Sequence, residues 1–433
     1  MSISIIATLY TLLLFAGFCA GFEIAFAMGL FGFFGFAQVM GMGPALNLVG
    51  IDIYNNLVNY GLTVIPLFLL MGTIGANAGI AKRLYDCSYK FIGHIPGGLA
   101  ISTIVGAVLF KSVCGSTTAT AATFAAIAIP EMDRYNYGKS LSSGTVATVG
   151  TLGVLLPPSV ALIIYGIISQ RSIAKLFLAG IVPGLLIAAS FVLTILVWCK
   201  INPSVAPRGT RSTWKERFKS VPSILPIAIV FLLVVGGIIV GYFTPTEAGS
   251  VGTFAILIYS LAVKDITFRG VMDAVLDSIG VACMILMLVA GATIFGHFFA
   301  ATNIPFILAD WLMKLPFPKE VIMLMIMLIY LIGGTVIEDL AFVILCTPIF
   351  IPVVTRLGYD LIWYGIMVMV ILMIGIVIPP IAMNIFVVSS IAKIPQRVVY
   401  RGVYPYLAGM TVCLFILLFF PGLSLWLPNL LMP

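Results

Sequence analysis

Apolar stretches of about 20 residues recur along the whole chain, each long enough to cross a ~30 Å hydrocarbon core as a helix. Residues 224–243, 280–299 and 321–337 are examples. Of 433 residues, 62% are hydrophobic and 9% charged, against roughly 25% charged in a soluble domain. Strands of a membrane barrel would alternate apolar and polar over ~10 residues. These runs are instead continuously apolar with interspersed Gly and Pro, as membrane helices are. The expected fold is an all-α polytopic membrane protein. Residues 3–21 have no basic stretch before them and read as a first span, not a cleaved leader.

The formal net charge is +7. No basic stripe with interleaved aromatics accompanies it, so nucleic acid is not an expected partner. The basic residues lie in short loops, where they report topology. Seven cysteines without CxxC spacing, most of them in apolar segments, indicate neither a metal site nor a disulfide framework.

An internal repeat organises the chain. Gly153-x-x-x-Pro157-Pro158 recurs as Gly375-x-x-x-Pro379-Pro380, and Pro130 recurs as Pro352, in both cases 222 residues on. A basic linker, residues 200–220, separates the halves. Repeat 1 is expected over residues 1–199, with scaffold spans in 1–92 and a hairpin and broken helix in 93–199. Repeat 2 is expected over 221–433, with scaffold spans in 221–318, a hairpin and broken helix in 319–400 and a last span in 401–433. Three spans, a re-entrant hairpin, a broken span and a last span make five crossings per repeat. An odd number inverts the second repeat, the signature of a secondary transporter. With the N-terminus outside, sixteen of the 22 basic residues, including the whole linker set, fall on the cytoplasmic side and five outside.

The two hairpins are expected over residues 97–132, centred on Gly115-Ser116-Thr117-Thr118, and over 319–354, centred on Gly333-Gly334-Thr335 and Glu338-Asp339. Backbone groups freed by a turn at mid-bilayer survive only where they line a cavity, and ions satisfy them. The double prolines remove amide donors and free carbonyls near Gly153 and Gly375. Half-helix ends then offer carbonyls to a cation and amides to an anion. Oxygen ligation of this kind suits Na⁺. The plainer alternatives are that the proline pairs only kink their helices and the small residues only allow close packing. Glu338 and Asp339, flanked by apolar runs, read as functional. Lys111 reads as a counter-charge to a substrate carboxylate or as a snorkelling side chain, and Glu247 as a helix cap. An intramembrane enzyme is disfavoured by the lack of Gly-x-Ser-x-Gly, His-Glu-x-x-His or paired Asp-rich motifs.

The chain resembles the large membrane subunit of tripartite ATP-independent periplasmic (TRAP) transporters over nearly its whole length. The resemblance rests on Gly93-His94-Ile95-Pro96-Gly97-Gly98-Leu99-Ala100, on the first tip continuing to Ile129-Pro130-Glu131-Met132, on Leu155-Leu156-Pro157-Pro158-Ser159 with Tyr165-Gly166, and on Pro183-Gly184-Leu185-Leu186. It continues in Thr244-Pro245-Thr246-Glu247-Ala248 and in Ile378-Pro379-Pro380 with Asn384. It implies an inner-membrane elevator-type transporter, sodium as coupling ion with no organic cofactor, a small four-helix membrane subunit and a periplasmic substrate-binding protein. By position it implies sodium contacts from Gly115, Ser116, Thr117, Gly153 and Pro157, and from Gly334, Thr335, Asp339, Gly375 and Pro379. It implies substrate contacts from Ser116, Ser159, Asp339 and Asn384. The implied substrate is a small organic anion, of sialic acid or C4-dicarboxylate type. A stand-alone sodium-coupled citrate or dicarboxylate symporter is the alternative. Glu23 stands where the family pattern has proline, which bears on the first helix connection.

Overall fold

The computed structural model describes residues 3–432, and every regular element among them is helical. Two hairpins and two broken spans are present. The first hairpin pairs Gly98–Lys111 with Thr117–Arg134, and the second pairs Lys319–Val336 with Asp339–Arg356. The first broken span is Lys139–Thr151 followed by Val160–Ser169, and the second is Leu361–Gly375 followed by Met383–Ala392. The same 222-residue offset that relates the prolines relates these helices: Thr117 to Asp339 and Arg134 to Arg356 bound matching 18-residue arms.

The tips turn at the depth of the breaks. At ~1.5 Å per residue the 14-residue arm Gly98–Lys111 reaches about 21 Å, short of a full crossing. Each arm of the second hairpin has 18 residues and would span by length alone. Its tip nevertheless lies against the second break, where the Ile381 amide donates to the Thr335 carbonyl at 3.4 Å.

The repeats are interleaved. Ile24–Met40 packs along the 35-residue helix Phe268–Thr302, and its counterpart Pro245–Ala262 packs along Val64–Asn77. Likewise the second arm of each hairpin packs on the second half of the other repeat's broken span, Asp339–Arg356 on Val160–Ser169 and Thr117–Arg134 on Met383–Ala392. Leu361–Gly375 runs through the centre and, Ile362 apart, is buried on every side, as a helix that is apolar all round must be. Its sparse polar groups are satisfied across the core. Trp363 Nε1 donates to the Leu417 carbonyl at 2.9 Å, and the Tyr165 hydroxyl donates to the Leu361 carbonyl at 2.5 Å.

The first repeat departs from a continuous third span. Between Ile24–Met40 and the amphipathic helix Ile80–Ile92 the chain forms Met42–Leu57 and then Tyr60–Asn77, whereas the second repeat continues as Phe268–Thr302. Asn59 explains the break, because its side chain accepts from the Gly61 amide at 2.8 Å and so competes with helical bonding. The equivalent position in the second repeat is Val281, which has no such alternative. The basic linker is strapped down: the Gly138 amide donates to the Val205 carbonyl and the Gly209 amide to that of Gly93. Arg217 is buried over the Trp214 ring. At the far end, Thr244 and Glu247 form the expected reciprocal cap.

Helix Gln396–Phe419 meets Lys139–Thr151 at backbone contact, and a methyl group at Gly402 would overlap the Ser140 carbonyl oxygen. Gly402→Leu is therefore expected to lower stability by ~1–3 kcal/mol through overpacking, read as a fall in the thermal unfolding midpoint. Gly280→Ala, with open space around it, should leave the midpoint unchanged or slightly raised.

Candidate functional site

The hairpin tips and the breaks surround one cavity of about 730 Å³. Its walls come from residues 114–119 of the first tip, Gly153 and Val154 of the first break, residues 338–340 of the second tip, and Met383 and Val387 beyond the second break. Phe68, Leu69 and Gly72 close one side, and Ser278 to Leu288 of the long helix another. The first residues of four helices, Thr117, Val160, Asp339 and Met383, all line it. Four partially positive helix ends therefore converge on one space. The Asp, Glu, Lys, Arg and His side chains in its lining are Glu23, Glu338 and Asp339, all carboxylic.

The two tips are built alike. Ser116 caps Thr117–Arg134 by accepting from the Ala119 amide at 3.3 Å, and Glu338 caps Asp339–Arg356 by accepting from the Ala341 amide at 3.3 Å. Ser116 and Glu338 are equivalent at the repeat offset, as are Thr117 and Asp339. Only glycine permits the first tip to reach the first break, because a Cβ at Gly115 would lie 2.7 Å from the Pro158 carbonyl oxygen. At the second tip the backbones of Gly334 and Gly375 meet, with a Cβ at Gly375 falling 3.1 Å from the Gly334 carbonyl carbon. Thr335 turns its hydroxyl back to the Ile332 carbonyl, 2.7 Å away.

The breaks differ. Pro157 and Pro158, joined by a cis peptide bond, are fully enclosed; Pro379 and Pro380, joined likewise, are exposed together with Ile381.

Of the residues to which the family resemblance gave an ion or substrate role, Gly115, Ser116, Thr117, Gly153 and Asp339 face the cavity. Gly334, Thr335, Gly375 and Pro379 cluster at the second tip and break behind it. Ser159 and Asn384 lie in the wall. Ser159 is buried, donates its hydroxyl to the Val154 carbonyl at 2.5 Å and caps Val160–Ser169. Asn384 is equally buried and donates to the Ala147 carbonyl at 3.1 Å, tying the second break to the first repeat, while its Oδ1 has no hydrogen-bond partner.

Lys111 departs from both readings of its sequence. It neither snorkels nor lines the cavity: it is wholly buried behind the tip. Its Nζ donates to the Ser116 carbonyl at 2.8 Å and the Thr120 hydroxyl at 2.6 Å, and packs against Gly153. Glu23 bears on more than a helix connection, because it reaches the cavity. The repeat register carries a signal for Lys111, since its equivalent is Gly333, and Glu23 is marked as an acid flanked by apolar runs where the family pattern has proline.

A cavity walled by paired hairpin tips and interrupted helices is the architecture of a membrane transporter. Residues 11–423 match the model of the family described as "Tripartite ATP-independent periplasmic transporter, DctM component". The chain belongs to that family. It is 33% identical to the C4-dicarboxylate TRAP transporter large permease protein DctM of Pseudomonas aeruginosa, covering 88% of this chain and 89% of the relative. It is 32% identical to the sialic acid TRAP transporter large permease protein SiaM of Vibrio cholerae, covering 96% of each. It is also 32% identical to the 2,3-diketo-L-gulonate TRAP transporter large permease protein YiaN of Escherichia coli, covering 85% and 87%. In fold it resembles the crystal structure of the Alcanivorax borkumensis YdaH transporter, with a TM-score of 0.57 at 14% identity over 89% of this chain and 90% of that one. The chain is thus a permease subunit of the bacterial inner membrane and not an enzyme.

Because Ser159 is used as a cap, Ser159→Ala is expected to destabilise by ~1 kcal/mol in thermal unfolding. In reconstituted transport its substrate KM should stay within about twofold of wild type if the hydroxyl serves only the Val154 carbonyl and the cap, and a larger rise would give it the substrate contact the resemblance implies. Gly115→Ala should abolish transport at near-normal expression.

Proposed function

We propose that this chain is the transmembrane subunit of a sodium-coupled importer of a small organic anion, of sialic acid or C4-dicarboxylate type. The anion is delivered by a periplasmic binding protein, and a small membrane subunit completes the scaffold. The hairpins and broken spans move as one body past the scaffold helices, exposing the cavity alternately to either side. The observation that carries this reading is the convergence of four helix N-termini on one cavity lined by three carboxyl groups and no basic side chain. Helix ends favour an anion, but three carboxylates oppose it. The conflict is relieved when a cation binds with the substrate, and that is thermodynamic coupling.

The donor set suits sodium. Backbone carbonyls at the tips and breaks, the Asp339 carboxylate and the unpartnered Asn384 Oδ1 are hard oxygen ligands. A cavity of about 730 Å³ lies within the ~300–1,000 Å³ range of small-molecule sites. The relatives are named for anions, two of them for a dicarboxylate and a sialic acid. A tripartite, periplasmic family name and the term large permease support the two partners.

The test is uptake into proteoliposomes holding this chain and its small subunit, with loaded binding protein outside and an inward Na⁺ or K⁺ gradient. Uptake should require both Na⁺ and the binding protein. Equal uptake in K⁺ would end the sodium reading, and uptake without the binding protein would make the chain a stand-alone symporter. For the detergent-purified chain, NaCl at about ten times Kd should add ~1.4 kcal/mol of stability relative to KCl, and Asp339→Asn should remove that difference.

A further inference from the structure

We propose that the Lys111 ammonium is a tethered cation that occupies the first hairpin's ion position, so that a free coupling ion exchanges only at the second hairpin. The proposal rests on the sodium reading above and refines it. A cation at the first tip would take the carbonyls freed by the turn and the adjoining break. Lys111 Nζ stands there, donating to the Ser116 carbonyl and the Thr120 hydroxyl and lying against Gly153. The Thr120 hydroxyl itself donates to the Ser116 carbonyl at 2.8 Å, which leaves its lone pairs for the amine. Both partners are hard oxygen atoms, the type an alkali cation takes.

The second repeat shows the position without the tether. At the 222-residue offset Lys111 becomes Gly333 and Thr120 becomes Phe342, whose ring lies against Gly333. Amine and acceptor are thus replaced together by a glycine and an aromatic ring that fills the space beside it. The charges change in the opposite sense: Ser116 and Thr117 become Glu338 and Asp339. One tip carries an ammonium and no carboxylate, and the other two carboxylates and no ammonium.

The breaks differ as well: the first is enclosed at Pro157 and Pro158, while Pro379, Pro380 and Ile381 are exposed. Lys111 does not line the cavity, so its charge is satisfied within the tip and is not presented to substrate. The chain therefore couples through fewer free ions than its two tips suggest.

The test uses the full detergent-purified chain, with ²²Na⁺ binding at equilibrium and the thermal midpoint in NaCl against KCl at equal ionic strength. Wild type should bind Na⁺ at the second tip alone, and Asp339→Asn should abolish both signals. Adding Lys111→Gly, or Lys111→Ser if the glycine variant is not monodisperse, should restore a saturable Na⁺-specific rise and one bound Na⁺. Lys111→Met should restore neither, because its side chain still fills the position. A folded Lys111→Gly or Lys111→Ser variant that gains no Na⁺ signal overturns the tether, as does an equal gain with Lys111→Met. A wild type indifferent to Na⁺ beside a variant that gains a response would instead overturn sodium coupling at the second tip and leave the tether standing.

Discussion

A helix interrupted inside a membrane exposes amides and carbonyls that lipid cannot satisfy, each at a cost of several kcal/mol. The rest of this structure depends on how four such interruptions are resolved. They are brought together, two tips against two breaks, so that the exposed groups face one another and a shared cavity. Gly115 meets Pro158 and Gly334 meets Gly375; the first contact requires the absence of a side chain and the second leaves little room for one. Everything else in the transport core holds those points in register, including the all-round buried helix Leu361–Gly375 and the crossed packing of each hairpin on the other repeat's broken span.

Symmetry supplies the scaffold of the site, and asymmetry supplies its chemistry. The caps at Ser116 and Glu338 satisfy the same amide at the same distance with different groups, a hydroxyl and a carboxylate. The substitution leaves local structure intact and changes the charge at the tip. Lys111 and Gly333 show the same economy with the opposite sign. Two tips capped alike therefore differ in electrostatics.

Much of the fold was legible because its signals are one-dimensional. Apolar runs, the double prolines and the constant offset fix the helices and the repeat, and the capping sequence at Thr244 to Glu247 behaves as its residue types dictate. Side-chain direction was not legible. In a soluble helix the polar stripe shows which face is inward. Here Gly98–Lys111 and Leu361–Gly375 are apolar or buried nearly all round, so sequence periodicity carries no orientation. That is why Lys111 read as either a counter-charge to substrate or a snorkelling side chain, and why the hydrogen bonds of Ser159 to Val154 and of Asn384 to Ala147 could not be read from the sequence.

The sequence by itself determined that this chain is a membrane transporter with a repeated core, because the hydrocarbon thickness and the loss of amides at proline act on the chain residue by residue. Only the tertiary structure decided which polar atoms face the cavity and which are consumed by other atoms of the protein. That distinction depends on distances between segments far apart in the chain, such as Asn384 to Ala147 and Glu23 to the hairpin tips. No local property of either segment encodes them.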